Sequence, residues 1–200
     1  MNGWRLVGWL SLLLVAMTLG LAASEGWTVD GIRLAIRATA RTSLVLFALA
    51  FTASALAELV PSEATGWQRR NRRYLGVSFA VSHFIHLGAI IALAMLDRGL
   101  FWKLTNVMTI VLAGTAYLFI AAMTATSFDR TAAWLGPRKW RLLHLIGGWY
   151  IWISFAIAVG KRVPIDSFYW PMAVLVIAVA AVRLLAMYRR GRRPALNLPA

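Results

Sequence analysis

No cysteine occurs in the 200 residues. Disulfides, thiolate metal sites, iron–sulfur clusters and cysteine nucleophiles are therefore excluded. Acid is scarce as well, with seven Asp and Glu against 21 Lys and Arg. Glu58 stands alone near the end of an apolar run, just before Pro61, and the other acids fall in polar connectors. A paired carboxylate that could relay protons or hold a transported cation inside a bilayer is thus missing, which weakens a transporter reading. There is no HExxH, no Gly-rich phosphate loop and no internal repeat. Ser82 adjoins His83, but neighbours in sequence do not face one another on a helix.

What the chain does have is apolar length. It is 60% hydrophobic, with a mean hydropathy of +0.70, and only 14% is charged. A soluble domain carries about a quarter charged residues. A bilayer-spanning helix needs about 20 apolar residues. Six such runs fit, at 4–22, 43–60, 74–96, 104–126, 142–159 and 171–187. The expected fold is an all-α membrane protein, a six-transmembrane-helix bundle over residues 1–188. A basic, disordered tail is expected over 189–200. No stretch is left over for a fused soluble flavin or nucleotide module. Ala22-Ala23-Ser24 resembles a small-residue cleavage site, but the run before it is long for a signal peptide and only Arg5 precedes it, so the first span is read as retained. The connector 23–41 is long, and GIRLAIRATAR within it is expected to form a short amphipathic helix on the outer surface.

The net charge of +14 does not point to nucleic acid, because the basic residues cluster at the ends of apolar runs. That is the pattern of the positive-inside rule and of anionic lipid headgroups. Arg5, the arginines at 69, 70, 72 and 73, Arg130, Arg138, Lys139, Arg141 and the arginines at 189, 190, 192 and 193 fall on one side, thirteen in all. The other side holds Arg33, Arg37, Arg41, Arg98, Lys103, Lys161 and Arg162. The richer side is expected to be cytoplasmic, with both termini there. Arg183, in the last turns of span six, is expected to snorkel toward that side. Trp4, Trp27, Trp67, Trp102, Trp134, Trp140 and Trp170 lie near the predicted ends, as an aromatic belt would.

The three histidines, His83, His86 and His144, all fall within predicted spans. His83 and His86 are three apart, so they project from one face of span three. His144 opens span five, and Gly147 and Gly148 follow on its face. Two readings remain open. The histidines could ligate heme iron from spans three and five, with the glycines giving room for the macrocycle. Or they could bridge helices by hydrogen bonds, with the glycines serving close packing.

The stretches RRYLGVSFAVSHFIHL (72–87) and LGPRKWRLLHLIGGWYIW (135–152) resemble the ferric-reductase-like transmembrane domain. Within it the resemblance is closest to the MsrQ/YedZ heme-binding membrane subunits of the methionine sulfoxide reductase system. Arg72-Arg73-Tyr74-Leu75-Gly76 with His86 ten residues on, and Leu135-Gly136 followed by a basic-Trp segment and Leu143-His144, match that family's pattern. Met123 to Ser127 resembles its Thr-Ser ending of span four, and Arg41-Thr42-Ser43 its Arg-Thr-Gly. The resemblance implies one b-type heme in a multi-pass protein of the bacterial inner membrane. It implies electrons entering from a cytoplasmic flavin reductase and leaving to a periplasmic oxidoreductase subunit. Arg72, Arg73, Arg138 and Arg141 would meet heme propionates or a flavin phosphate, or serve as ordinary positive-inside anchors.

One position departs from the pattern. Ile157 stands where the family usually carries a second span-five histidine. His86 lies 13 residues past Arg73, about 20 Å along a helix, whereas His144 lies three past Arg141, about 5 Å. Two axial ligands of one iron must face each other at similar depth. Three arrangements follow from this. His83 pairs with His144, or a thioether from Met95, Met108 or Met123 completes a histidine site, or the chain is a heme-free membrane scaffold or accessory protein.

Overall fold

The computed structural model describes residues 2–192. It is helical, with no strand among the described residues. The helices are α1 (Trp4–Ser24), α2 (Val29–Leu59), α3 (Glu63–Arg70), α4 (Arg72–Leu96), α5 (Arg98–Leu104), α6 (Val107–Ala125), α7 (Asp129–Leu135), α8 (Pro137–Gly160) and α9 (Trp170–Gly191), with a 3₁₀ turn at Ser167–Tyr169 before α9. Six of them, α1, α2, α4, α6, α8 and α9, are long and apolar enough to cross a membrane. Short α3 and α7 connect them at the arginine-rich end, and α5 and the 3₁₀ turn at the other.

Local chemistry sets the boundaries. The Thr28 hydroxyl caps α2 by accepting from Gly31 N, and Asp30 lies in its first turn. Ser62 and Thr65 form a capping box on α3. Asp97 accepts from Leu100 N and Asn106 from Thr109 N, each at 2.8 Å, opening α5 and α6. Gly136, at φ 78°, makes the turn into α8, whose first residue is Pro137. Buried Asn71, between α3 and α4, accepts from Gly3 N and donates to Asn2 Oδ1 and Trp67 O, each at 3.0 Å. The start of the chain is thereby tied to the start of α4.

Two expectations are corrected. GIRLAIRATAR is not a separate surface helix, because α2 runs unbroken from Val29 to Leu59, about 46 Å. No breaker interrupts it, and Ile32 packs with Ala22 and Leu93 in a small core of its own. Gly31 is required there, since a Cβ would come within 2.6 Å of Ala22 O. Nor does the basic tail begin at 189, as α9 continues helical to Gly191. The expectation for 193–200 lies outside the described residues.

All six spans contribute to one core. Leu14, Phe47, Phe79, Ile120, Ile151, Phe155 and Val176 form a single buried cluster. Large apolar residues such as Leu13, Val111, Leu118, Ile177 and Leu184 face outward, as lipid contact requires. Within lipid, apolar contact alone favours no helix pairing, so small residues and interhelical hydrogen bonds decide it. The α2–α4 seam has both. Ser43 Oγ and Ser82 Oγ lie 2.8 Å apart, Thr42 Oγ1 is 3.3 Å from Ser82 Oγ, and Thr39 Oγ1 is 3.0 Å from His86 Nδ1. Ser43, Ser82 and Thr39 are completely buried. Gln68, from α3, donates to Leu49 O at 2.8 Å and closes the seam at the arginine-rich end.

Ser82 is therefore a sensitive position. Ser82→Ala should cost about 0.6 kcal/mol, the usual worth of such a bond in a bilayer. Ser82→Leu should cost about 1–3 kcal/mol by overpacking. Reversible unfolding in mixed detergent micelles measures both, and equal stability of the two variants would contradict this account of the seam.

Candidate functional site

A cavity of about 600 Å³ opens at the arginine-rich end of the bundle. Helical spacing builds each wall. α8 supplies Trp140, Arg141, His144, Gly148 and Ile151, and α4 supplies Arg72, Arg73, Gly76 and Phe79. Phe47, Ala50 and Phe51 come from α2, Ile120 and Met123 from α6, and Arg183 and Arg190 from α9. The floor is apolar and aromatic, and the mouth is cationic.

The charges are unbalanced. Asp129 holds Arg73 at 2.8 Å, and Glu58 holds Arg190 at 2.6 Å. Arg72 donates to Ser54 Oγ at 2.9 Å. Arg183 reaches toward the arginine-rich end, as expected, but from inside the cavity. Its guanidinium lies 4.4 Å over the Phe51 ring, and its buried Nε has no hydrogen-bond partner among the described residues. Arg141 also lines the cavity. An arginine inside a span that faces the bundle interior marks a functional position by default. Arg183 and Arg190 lie seven apart on α9, a spacing that places both on one face and was legible beforehand.

His144 is the one histidine on this cavity's wall. Its ring stacks on Trp140 at 4.1 Å, and its Nε2 makes one long contact, 3.4 Å, with Thr126 Oγ1. Trp140 thus leaves the aromatic belt expected of it. It turns inward, and its Nε1 donates to Thr126 O at 3.0 Å.

His83 and His86 lie elsewhere. The Arg72 guanidinium sits 5.9 Å over the Trp140 ring. Gly76 and His144 both line the cavity. His83 is seven residues beyond Gly76 and His86 ten, about 10 and 15 Å deeper. The His83 ring is enclosed by Phe79, Tyr117, Phe155 and His86, at centroid distances of 5.4, 4.9, 5.7 and 5.4 Å. Tyr117 OH donates to its carbonyl oxygen at 3.1 Å, and its buried Nδ1 has no partner among the described residues. Thr39 gives its hydroxyl proton to Ala35 O at 2.7 Å, and its Oγ1 lies 3.0 Å from His86 Nδ1. Ile157 is 42% exposed on the outer face of α8, so the face carrying that position turns away from the interior.

The glycines divide. Gly148 lines the cavity, but a Cβ there would come within 2.6 Å of Phe51. At Gly147 a Cβ would come within 2.6 Å of Met123 Sδ and 3.1 Å of Phe119, so this glycine admits α6 side chains. Around Gly76 no atom lies within 4 Å of the Cβ position. Of the three methionines considered as ligands, Met95 and Met108 are 82% and 66% exposed, and Met123 lines the cavity. Among the described residues no group of three or more His, Asp or Glu converges as a metal site.

Comparison with protein-family models, with curated proteins and with solved structures gives no match for this chain.

The two glycines on the cavity wall make opposite forecasts. Gly148→Ala should destabilise by about 1–3 kcal/mol, because Phe51 must move. Gly76→Ala should be neutral or stabilise by up to about 1 kcal/mol through helix propensity. Thermal unfolding in detergent distinguishes them, and the reverse order would contradict the packing described.

Proposed function

We propose that the chain is a b-type-heme membrane subunit. It carries electrons across the bilayer for an oxidoreductase of the ferric-reductase-like or sulfoxide-reductase-like kind. It serves as the electron-transfer subunit, with catalysis residing in a periplasmic partner and electrons arriving from a cytoplasmic flavin reductase. The observation that carries this reading is the cavity, which joins an apolar aromatic floor, one imidazole and an excess of guanidinium groups at its mouth. Those residues suit a flat apolar macrocycle bearing two carboxylates. His144 would supply an imidazole nitrogen to the iron. Arg72, Arg141 and Arg183 are the guanidiniums left for the carboxylates, since the acids nearby already hold Arg73 and Arg190. Phe47, Phe79, Ile120 and Ile151 keep water from the floor. Bound heme supplies a one-electron redox couple within the bilayer.

The second reading, a heme-free scaffold or accessory protein, is favoured by a specific observation. His83 and His86 are engaged in ring packing and in a bond to Thr39, so the span-three histidines already serve the bundle.

Chain purified in detergent from heme-replete cells should show a Soret band. His144→Gly should reduce heme content several-fold, and added imidazole should restore the band without refolding. A colourless, well-folded wild-type protein would sink the heme reading. An unchanged spectrum in the His144 variant would remove this residue as ligand.

On this reading the arginine-rich end is cytoplasmic and the membrane is a bacterial inner membrane. The absence of native cysteine makes the orientation directly testable. Ser62→Cys should resist an impermeant maleimide in intact spheroplasts, and Asp166→Cys should react. The opposite labelling would invert the orientation.

A further inference from the structure

We infer that the groove between α1 and α2 holds an acyl chain of an anionic phospholipid, whose phosphate rests on Arg41. The groove stands apart from the cavity, and what it binds does not depend on what the cavity holds. It is open and about 360 Å³ in volume. Leu10, Leu13 and Leu14 of α1 line it with Val45 and Leu46 of α2. Its polar residues, Arg41 and Thr42, gather a helical turn before Val45 and Leu46.

Arg41 belongs to a spanning helix, yet among the described residues no carboxylate pairs with it. Its buried Nε has no hydrogen-bond partner there either. The acids at that end are occupied, because Asp30 holds Arg33 at 3.2 Å and Asp166 accepts from Phe168 N at 2.9 Å. Two rings place the guanidinium instead, Phe168 at 4.4 Å and Tyr169 at 5.5 Å. Ring faces attract a cation without neutralising it. A fixed, uncompensated guanidinium beside an apolar groove calls for an anion that has an apolar part.

Depth selects a phospholipid. α2 and α9 run the same way, since Arg41 meets Phe168, Phe51 meets Arg183 and Glu58 meets Arg190 in order along both. Phe168 and Tyr169 form the turn that opens α9, so the Arg41 guanidinium lies where that span begins. Trp170, 59% exposed, marks the same place as an interfacial aromatic residue does. Headgroup phosphates stand at that level. Val45 and Leu46 lie one turn further along α2, among acyl chains, and Leu13 and Val45 are exposed there. Arg37, one turn outward of Arg41 and also without a carboxylate, extends the cationic edge. Guanidinium takes phosphate through paired N–H donors.

The test is native mass spectrometry of the full chain, purified in detergent and stripped of lipid. Palmitoyl-oleoyl phosphatidylglycerol should bind saturably, and phosphatidylcholine with the same chains should bind about tenfold more weakly, the worth of one charge-assisted hydrogen bond. Arg41→Gln should weaken phosphatidylglycerol binding by a similar factor of about ten. Arg98→Gln, which removes an exposed cation on α5, should leave it unchanged. Val45→Trp fills the groove from an exposed position and should weaken binding of both lipids several-fold, with helicity by circular dichroism unchanged. Inorganic phosphate should not compete. Equal binding of the two lipids, or phosphatidylglycerol binding that survives both Arg41→Gln and Val45→Trp, would overturn the inference. Competition by inorganic phosphate would overturn it in favour of a soluble anion. A dimer that Val45→Trp dissociates would overturn it in favour of a second copy of this chain covering the groove.

Discussion

The hydrogen-bonded seam between α2 and α4 is the constraint on which the rest of the structure depends. In water, two such helices would be driven together by their apolar faces. In lipid that drive is absent, and pairing must come from close approach and polar contacts. Ser43, Ser82 and Thr42 supply both, because they are small enough for the backbones to approach and carry hydroxyls that lipid cannot satisfy. The seam also fixes register. Once Ser82 meets Ser43, His86 meets Thr39, and Gly76 is placed on the cavity wall that His144 also lines. The cavity exists at its depth because α4 is locked to α2 at these residues and not one turn away.

The second organising feature is a charge imbalance held inside the bundle. Arginine inside a span is expensive and is normally neutralised by a carboxylate or drawn to the interface. Here Glu58 and Asp129 are committed to Arg190 and Arg73. Arg183 instead rests on the face of Phe51, a cation–π contact that offsets part of the desolvation cost. The same Phe51 fills the space that Gly148 leaves open. One aromatic ring therefore links the packing of α2 against α8 to the placement of a charge from α9. A surplus of cations beside an apolar floor is the physical form of a site for an amphipathic anion, whichever molecule occupies it.

Much of this was legible in the sequence. Apolar length alone located the six spans, and the Lys and Arg pattern located the end at which the cavity opens. Residue counting set His144 apart from His83 and His86, since helix rise converts position into distance, and of the three only His144 lines the cavity. Two things were not legible. The continuity of α2 through residues 29–41 depends on Gly31 fitting against Ala22 O and on Ile32 meeting Leu93, contacts between segments far apart in the chain. The inward turn of Trp140 and Arg183 depends on tertiary partners as well. A tryptophan or arginine near a span end ordinarily faces the interface, and only the neighbouring His144, Thr126 and Phe51 reverse that preference.

On the proposed reading, cavity, imidazole and guanidinium surplus together form one cofactor site per chain, at one end of the bundle, with the span-three histidines engaged in packing. The ratio of heme to protein tests this most directly. Apo-protein titrated with hemin in detergent, and quantified by its pyridine hemochrome, should saturate at one heme per chain. Saturation at two would require a second site at His83 and His86, and no saturable binding would mean that the cavity serves something other than heme. Either result would contradict the account.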